Sequence, residues 1–100
     1  MIIEYLRYTI PEDRQEAFVK DYEAARRPLM CSQHATGFEL CQCLDDKTQF
    51  ILRIEWTSAE DHLNGFRKSL EFREFFAHIR SYVSDINEMR HYVPLLGSES

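Results

Sequence analysis

Residues 49–56 constrain this chain more than any other segment. Phe50, Leu52, Ile54 and Trp56 fall on one side of the segment, with Gln49, Ile51, Arg53 and Glu55 on the other. Alternation with a period of two marks a strand that packs one face on a core. Length limits what can cover that face. A chain of 100 residues makes one domain, or part of an obligate oligomer, and buries roughly two-thirds of its unfolded surface.

The flanking segments supply the cover. Residues 2–10 are rich in β-branched and aromatic side chains and predict a strand. Their even positions are Ile2, Glu4, Leu6, Tyr8 and Ile10, their odd ones Ile3, Tyr5, Arg7 and Thr9. Both faces are partly apolar, so both are expected to be covered. Pro11 suits the first turn of a helix, with Glu12 and Asp13 at the positive end of its dipole. Phe18, Tyr22 and Ala25 follow at helical spacing, and Pro28 is expected to stop this helix. Residues 30–36 read as irregular, Gly37 as the opening of a strand over 38–44, and Asp45-Asp46-Lys47 as a hairpin turn. Thr57 or Ser58 caps the next helix, with Glu60 or Asp61 as capping-box partner, and His62, Leu63 and Phe66 face inward. After a break near Ser69-Leu70, Phe72, Phe75, Phe76, Ile79 and Val83 form the strongest amphipathic stripe. Residues 86–93 close as a fourth strand before Pro94.

The order strand, helix, strand, strand, broken helix, strand predicts an α+β, ferredoxin-like fold: a four-stranded antiparallel sheet with helices on one face. Residues 1–94 form the single domain and 95–100 a frayed tail. The uncovered face, carrying Ile51, Cys41, Cys43 and Met89 or its neighbours, is too apolar to leave wet. A homodimer with two sheets back to back is the expected solution.

Composition removes several classes of function. Seventeen acidic against twelve basic residues give a net charge of -5, which argues against nucleic acid as a partner. Three glycines leave no phosphate-binding loop. The start of the chain lacks the basic leader of a signal peptide, and no stretch is apolar enough to span a membrane. Cys31, Cys41 and Cys43 form no CxxC and no zinc spacing, and read as reduced thiols of a cytoplasmic protein. His34, His62, His78 and His91 lie on four different elements with no HxH or HxxxH pair, so spacing supports no metal. A GxSxG elbow is missing, so a serine hydrolase is disfavoured. Thirteen per cent aromatic residues call for a pocket or an interface to bury them.

Between Arg53 and Phe76 the residues take a recognisable form. A strand ends Ile54-Glu55-Trp56 and passes into Thr57-Ser58-Ala59-Glu60. His62-Leu63-Asn64-Gly65-Phe66 comes next, then Ser69-Leu70-Glu71-Phe72-Arg73-Glu74-Phe75-Phe76. This resembles the antibiotic biosynthesis monooxygenase superfamily of dimeric α+β barrels, and element order extends the resemblance over residues 1–92. It implies a pocket between sheet and helices that binds a flat, electron-rich molecule. It also implies oxidation of a quinol-like or other activated aromatic compound by O2 without flavin, metal or other cofactor. In that chemistry the deprotonated substrate supplies the electron, and the protein contributes a base, hydrogen bonds and a dry site.

The departures from the family are specific. Many relatives carry a histidine one helical turn after the His62 position and a proline after the following Ser or Thr, where this chain has Phe66 and Leu70. Against the haem-degrading branch, Phe66 occupies the tryptophan position and Phe76 the axial histidine position, and the first strand has no asparagine. His78 lies about 200° round the helix from the axial slot, so haem degradation is not expected. His62 is the candidate base from its expected place on the first turn of the helix over the pocket, its pKa lowered near a helix N-terminus so that the imidazole stays neutral. Trp56, Phe66, Phe72 and Phe76 are candidate pocket walls. Tyr5 is the candidate hydroxyl, since Tyr5 and Tyr8 lie on opposite faces and at most one enters the pocket. Arg53 is expected to pair with Glu39, Glu55 or Glu88 on the other face, with Arg90 and Tyr92 on one side of the last strand and His91 on the other. The rival reading is a binding or sensing dimer of the same fold with no catalysis.

Overall fold

The computed structural model describes residues 1–97. The elements run β1 (Ile2–Thr9), α1 (Glu12–Cys31), β2 (Ala35–Gln42), β3 (Gln49–Trp56), a broken helical segment, α2 (Leu70–Ile79), a 3-10 stretch (Arg80–Asp85) and β4 (Ile86–Tyr92). The strands form one antiparallel sheet in the order β2-β3-β1-β4. This is the expected ferredoxin-like arrangement, with α1 and α2 packed against each other.

Strand parity decides what the helices cover. Leu6, Tyr8, Phe50, Leu52, Ile54 and Trp56 are all buried. From α1, Phe18, Tyr22, Ala25, Pro28 and Leu29 pack inward. Phe18 is the hub, making edge-to-face contacts with Tyr8, Tyr22, Phe50 and Tyr82 at centroid distances of 4.9, 5.2, 5.0 and 5.0 Å. Such pairs add to the burial of large apolar rings.

Four local expectations are corrected. Helix α1 continues through Pro28 to Cys31. Proline fits helical φ and forfeits one hydrogen bond of its own, and here it is buried beside Leu29. Strand β2 starts at Ala35, with a register shift between Ala35 and Gly37. Leu63 is 45% exposed, because the turn that carries it buries only His62 and Phe66. Met89 pairs with Leu6 and so lies on the helix side of the sheet. Leu95, Leu96 and Gly97 belong to no regular element, and the rest of the expected tail lies outside the described residues.

The broken helical segment is held at its start by side chains. Ser58 Oγ accepts from the Asp61 backbone N–H at 2.9 Å, and the Thr57 hydroxyl donates to Asp61 Oδ2 at 2.6 Å. A wide π-helical turn, Asp61–Gly65, then tightens into a 3-10 turn, Phe66–Lys68. Ser69 ends it and caps α2, its Oγ accepting from the Phe72 N–H at 3.2 Å. The change of winding lets both His62 and Phe66 face the sheet; such turns recur at functional sites.

The opposite face of the sheet carries Tyr5, Arg7, Ile51, Arg53, Glu88 and Tyr92. Arg53 pairs with Glu55 at 2.6 Å, one of the three partners expected, and Glu88 pairs with Arg90 at 2.8 Å. Ile51 is 43% exposed there. Among the described residues no helix is long and apolar enough to cross a membrane.

Candidate active site

A cavity of about 270 Å³ lies between the sheet and α2, just below the usual range for ligand sites. Leu6, Leu52, Ile54, Ile79 and Met89 make it greasy, and Phe66, Phe72, Phe75 and Phe76 wall it with rings. Four of the five expected pocket residues are therefore together here: Trp56, Phe66, Phe72 and Phe76. Phe72 and Phe76 stack at 5.5 Å between centroids, and Phe66 meets Phe72 edge-on at 5.5 Å.

The fifth, Tyr5, is corrected. Even positions of β1 face the helices, so Tyr5 points to the open side of the sheet and packs edge-on against Tyr92 at 5.4 Å. The hydroxyl groups that line the cavity belong to Tyr8 and Tyr22, which hydrogen-bond to each other. Burial pushes the Tyr8 hydroxyl up to about 12 and Tyr22 well above the usual phenol range, so both remain neutral donors.

His62 also lines the cavity, buried and stacked on Trp56 at 4.2 Å with 9° between the planes. Its two ring nitrogens face different partners. Nε2 lies 3.6 Å from Glu4 Oε1, and Nδ1 lies 2.7 Å from His91 Nε2. Trp56 donates its indole N–H to the same Glu4 oxygen at 3.0 Å. Glu4 is thus a carboxyl group on the apolar face of β1, flanked by the indole and one imidazole.

Burial sets the charge of this group of residues. Desolvation raises the Glu4 carboxyl to about 7, against smaller opposing effects of the Trp56 hydrogen bond and the Arg67 charge. Desolvation lowers His62 to about 3, helped by Arg67 and His91. The imidazole is neutral as expected, though burial rather than a helix terminus is the main cause. Glu4 and His62 sit at ion-pair distance, yet both shifts favour the uncharged forms, so between about pH 3 and 7 the contact is between neutral groups. Of the two, Glu4 is the one that changes charge near neutrality.

Glu4, His62 and His91 each offer a donor atom within 4.8 Å of the others. The spacing of histidines along the chain concealed this convergence, which the β1–β4 register creates by setting Glu4 opposite His91. At His62 one ring nitrogen faces Glu4 and the other faces His91. Sequence reasoning passed over Glu4, although a carboxylate sharing parity with Leu6, Tyr8 and Ile10 was the available signal.

The family model described as antibiotic biosynthesis monooxygenase matches residues 1–78. YczJ of Bacillus subtilis (strain 168), an uncharacterized protein, is 24% identical over 92 residues, covering 92% of this chain and 97% of that one. Among solved structures, a Bordetella bronchiseptica protein named as a candidate antibiotic biosynthesis monooxygenase superposes with a TM-score of 0.78 at 20% identity, covering 95% of this chain and 97% of that one. A mutant of SnoaB from Streptomyces nogalater, described as a cofactor-independent oxygenase, gives a TM-score of 0.77 at 11% identity, covering 96% and 94%. At these identities the structural likenesses carry the fold.

Proposed function

Because the chain belongs to the antibiotic biosynthesis monooxygenase family, we propose that it is a monooxygenase that oxidises a quinol-like or otherwise activated aromatic molecule with O2 and no added cofactor. The observation that carries this reading is Glu4. It is a buried carboxyl poised near 7, touching His62 and Trp56 at the polar end of an aromatic-walled cavity. A general base is most effective when its pKa lies near the working pH. SnoaB, described as a cofactor-independent oxygenase, is a precedent for such chemistry on this fold.

In this mechanism the ring lies between the phenylalanines, and ionised Glu4 takes a proton from its acidic O–H or C–H. His62 accepts that proton from Glu4 in turn through Nε2. The electron-rich anion gives one electron to O2, and recombination of the radical pair forms a carbon–oxygen bond. The peroxide anion regains a proton, and loss of water leaves a carbonyl. A methylene and O2 thus become a ketone and water, with no external reductant. Tyr8 and Tyr22 present a neutral hydroxyl to an oxygen at the far end of the ring system.

Two chains pair through the open face of the sheet in this reading. Its support is the exposed Ile51 beside Tyr5 and Tyr92, a surface that isologous contact would cover.

The test is oxygen uptake by metal-free protein offered hydroquinones, naphthohydroquinones and anthrones, beside His62→Ala and corrected for spontaneous oxidation. Enzyme-dependent uptake that falls at least about a hundredfold in the variant supports the reading. Uptake that persists unchanged removes His62 from the chemistry. No uptake, with saturable quenching of Trp56 fluorescence by the same compounds, favours a binding module.

A further inference from the structure

We infer that His91 is the outlet through which protons leave and re-enter the pocket, acting through His62. This rests on the monooxygenase reading for its purpose, but its geometry stands apart from any substrate. A relay needs an inner acceptor, a conductor with two usable atoms and an outer group in contact with water. Glu4 is the inner group, 3% exposed. His62, equally buried, presents Nδ1 to His91 Nε2 at 2.7 Å and Nε2 to Glu4 at 3.6 Å, a gap that a small shift of either side chain closes to a hydrogen bond. His91 is exposed, near the end of β4. Buried carboxyl, buried imidazole and exposed imidazole are therefore in line.

Neutral imidazole suits the middle position because it need not hold charge. It accepts a proton on one nitrogen as it gives up the proton on the other. Burial and the neighbouring Arg67 both disfavour a lasting imidazolium at His62, so a proton passes through it rather than resting there. The groups facing His62 are Glu4 from β1, Trp56 from β3, His91 from β4 and Arg67 from its own turn. Of these, Glu4 titrates at about 7, whereas burial and Arg67 lower His91 from the ordinary imidazole range, which keeps it neutral and free to pass a proton on. Trp56 fixes the ring by stacking and fixes Glu4 by its indole N–H.

The proton count closes over one turnover. Outward, the substrate proton moves to Glu4, Glu4 gives a proton to His62 Nε2, His62 releases the one on Nδ1 to His91 Nε2, and His91 releases one to water. Both rings are left as the opposite tautomer. Protonation of the peroxide anion runs the same steps inward and restores both rings without rotation. A reaction that removes one proton and later returns one is matched to a relay of this kind.

The experiment reads proton traffic in the resting protein, so it is independent of whether any substrate is oxidised. Solvent exchange of the His62 ring N–H is measured by NMR with ¹⁵N-labelled imidazoles in wild type, His91→Phe and His91→Ala. His91 is exposed, so neither substitution opens the core. The expected result is exchange at least about tenfold slower in His91→Phe, and recovery of His91→Ala on adding free imidazole. Unchanged exchange in His91→Phe overturns the proposal, because protons then leave by the pocket mouth. Slower exchange in His91→Ala that imidazole does not restore also overturns it, by giving His91 a structural role. With an oxidised substrate in hand, kcat follows the same pattern and KM does not.

Discussion

Trp56 holds Glu4 from across the sheet: the indole N–H reaches the carboxyl at 3.0 Å while the indole face lies flat on His62. Glu4 is opposite Ile54 in the β1–β3 ladder and Trp56 opposite Ile2, so the contact is a diagonal one. One side chain thereby orients both a carboxyl and an imidazole, and it closes the end of the pocket.

Holding Glu4 there lowers stability at neutral pH. Its carboxyl is raised from 4.5 to about 7, so its contribution is fully present below about 4.5 and is lost as pH rises through 7. At about 1.4 kcal/mol for each tenfold, the loss is about 3 kcal/mol. His62, lowered from 6.5 to about 3, acts in the opposite sense: its contribution is present above 6.5 and is lost as pH falls through 3. The two slopes cancel between 4.5 and 6.5, where stability is flat. Glu4→Gln keeps an acceptor for Trp56 and removes the decline. Urea unfolding should find this variant equal to wild type near pH 4 and more stable by about 3 kcal/mol at pH 8. Equal stabilities at both pH values would show that Glu4 titrates normally.

The Tyr8–Tyr22 pair is buried, with one hydroxyl donating to the other. Tyr8→Phe or Tyr22→Phe alone strands one hydroxyl and should cost about 1–3 kcal/mol, whereas the double variant should cost less than the sum. A double-mutant cycle by chemical denaturation checks this, and strict additivity would mean that the contact contributes nothing.

Gly65 admits the His34 ring. A Cβ built there would stand 2.5 Å from His34 Nε2, so Gly65→Ala forces the His34 ring or the turn carrying His62 to move. The expected destabilisation is about 1–3 kcal/mol. His34→Ala combined with Gly65→Ala should recover most of it. Thermal unfolding of the three variants decides, and no recovery would place the clash elsewhere.

Pairing through the open sheet face predicts a solution mass twice the chain's 12.0 kDa. Ile51→Lys, on that face and 43% exposed, should yield folded monomers by light scattering. A wild-type monomer would contradict the proposed interface.

Much of this architecture can be read from particular residues. Phe50, Leu52, Ile54 and Trp56 alternate because one face of β3 is covered, and Ser69 announces a helix start because its hydroxyl is the cap. Pro28 misleads because burial of the last turn of α1 outweighs one missing hydrogen bond. The site is harder to read, since its parts meet through strand register. His62 and His91 are 29 residues apart and touch only because β4 pairs with β1. Tyr5 is displaced by parity alone: a one-residue step along a strand reverses the face. Glu4 is legible in hindsight as the one carboxylate among Leu6, Tyr8 and Ile10.

The central claim, that Glu4 is the base of a cofactor-free oxygenation, is tested most directly by the pH dependence of oxygen uptake. Wild type and Glu4→Gln would be compared from pH 5 to 9, as roughly the range in which both stay folded, with the best substrate of the naphthohydroquinone and anthrone series. The account predicts a wild-type kcat/KM that rises with an apparent pKa near 7 and a variant slower by about a hundredfold or more at every pH. A variant that keeps the wild-type rate and profile would contradict it.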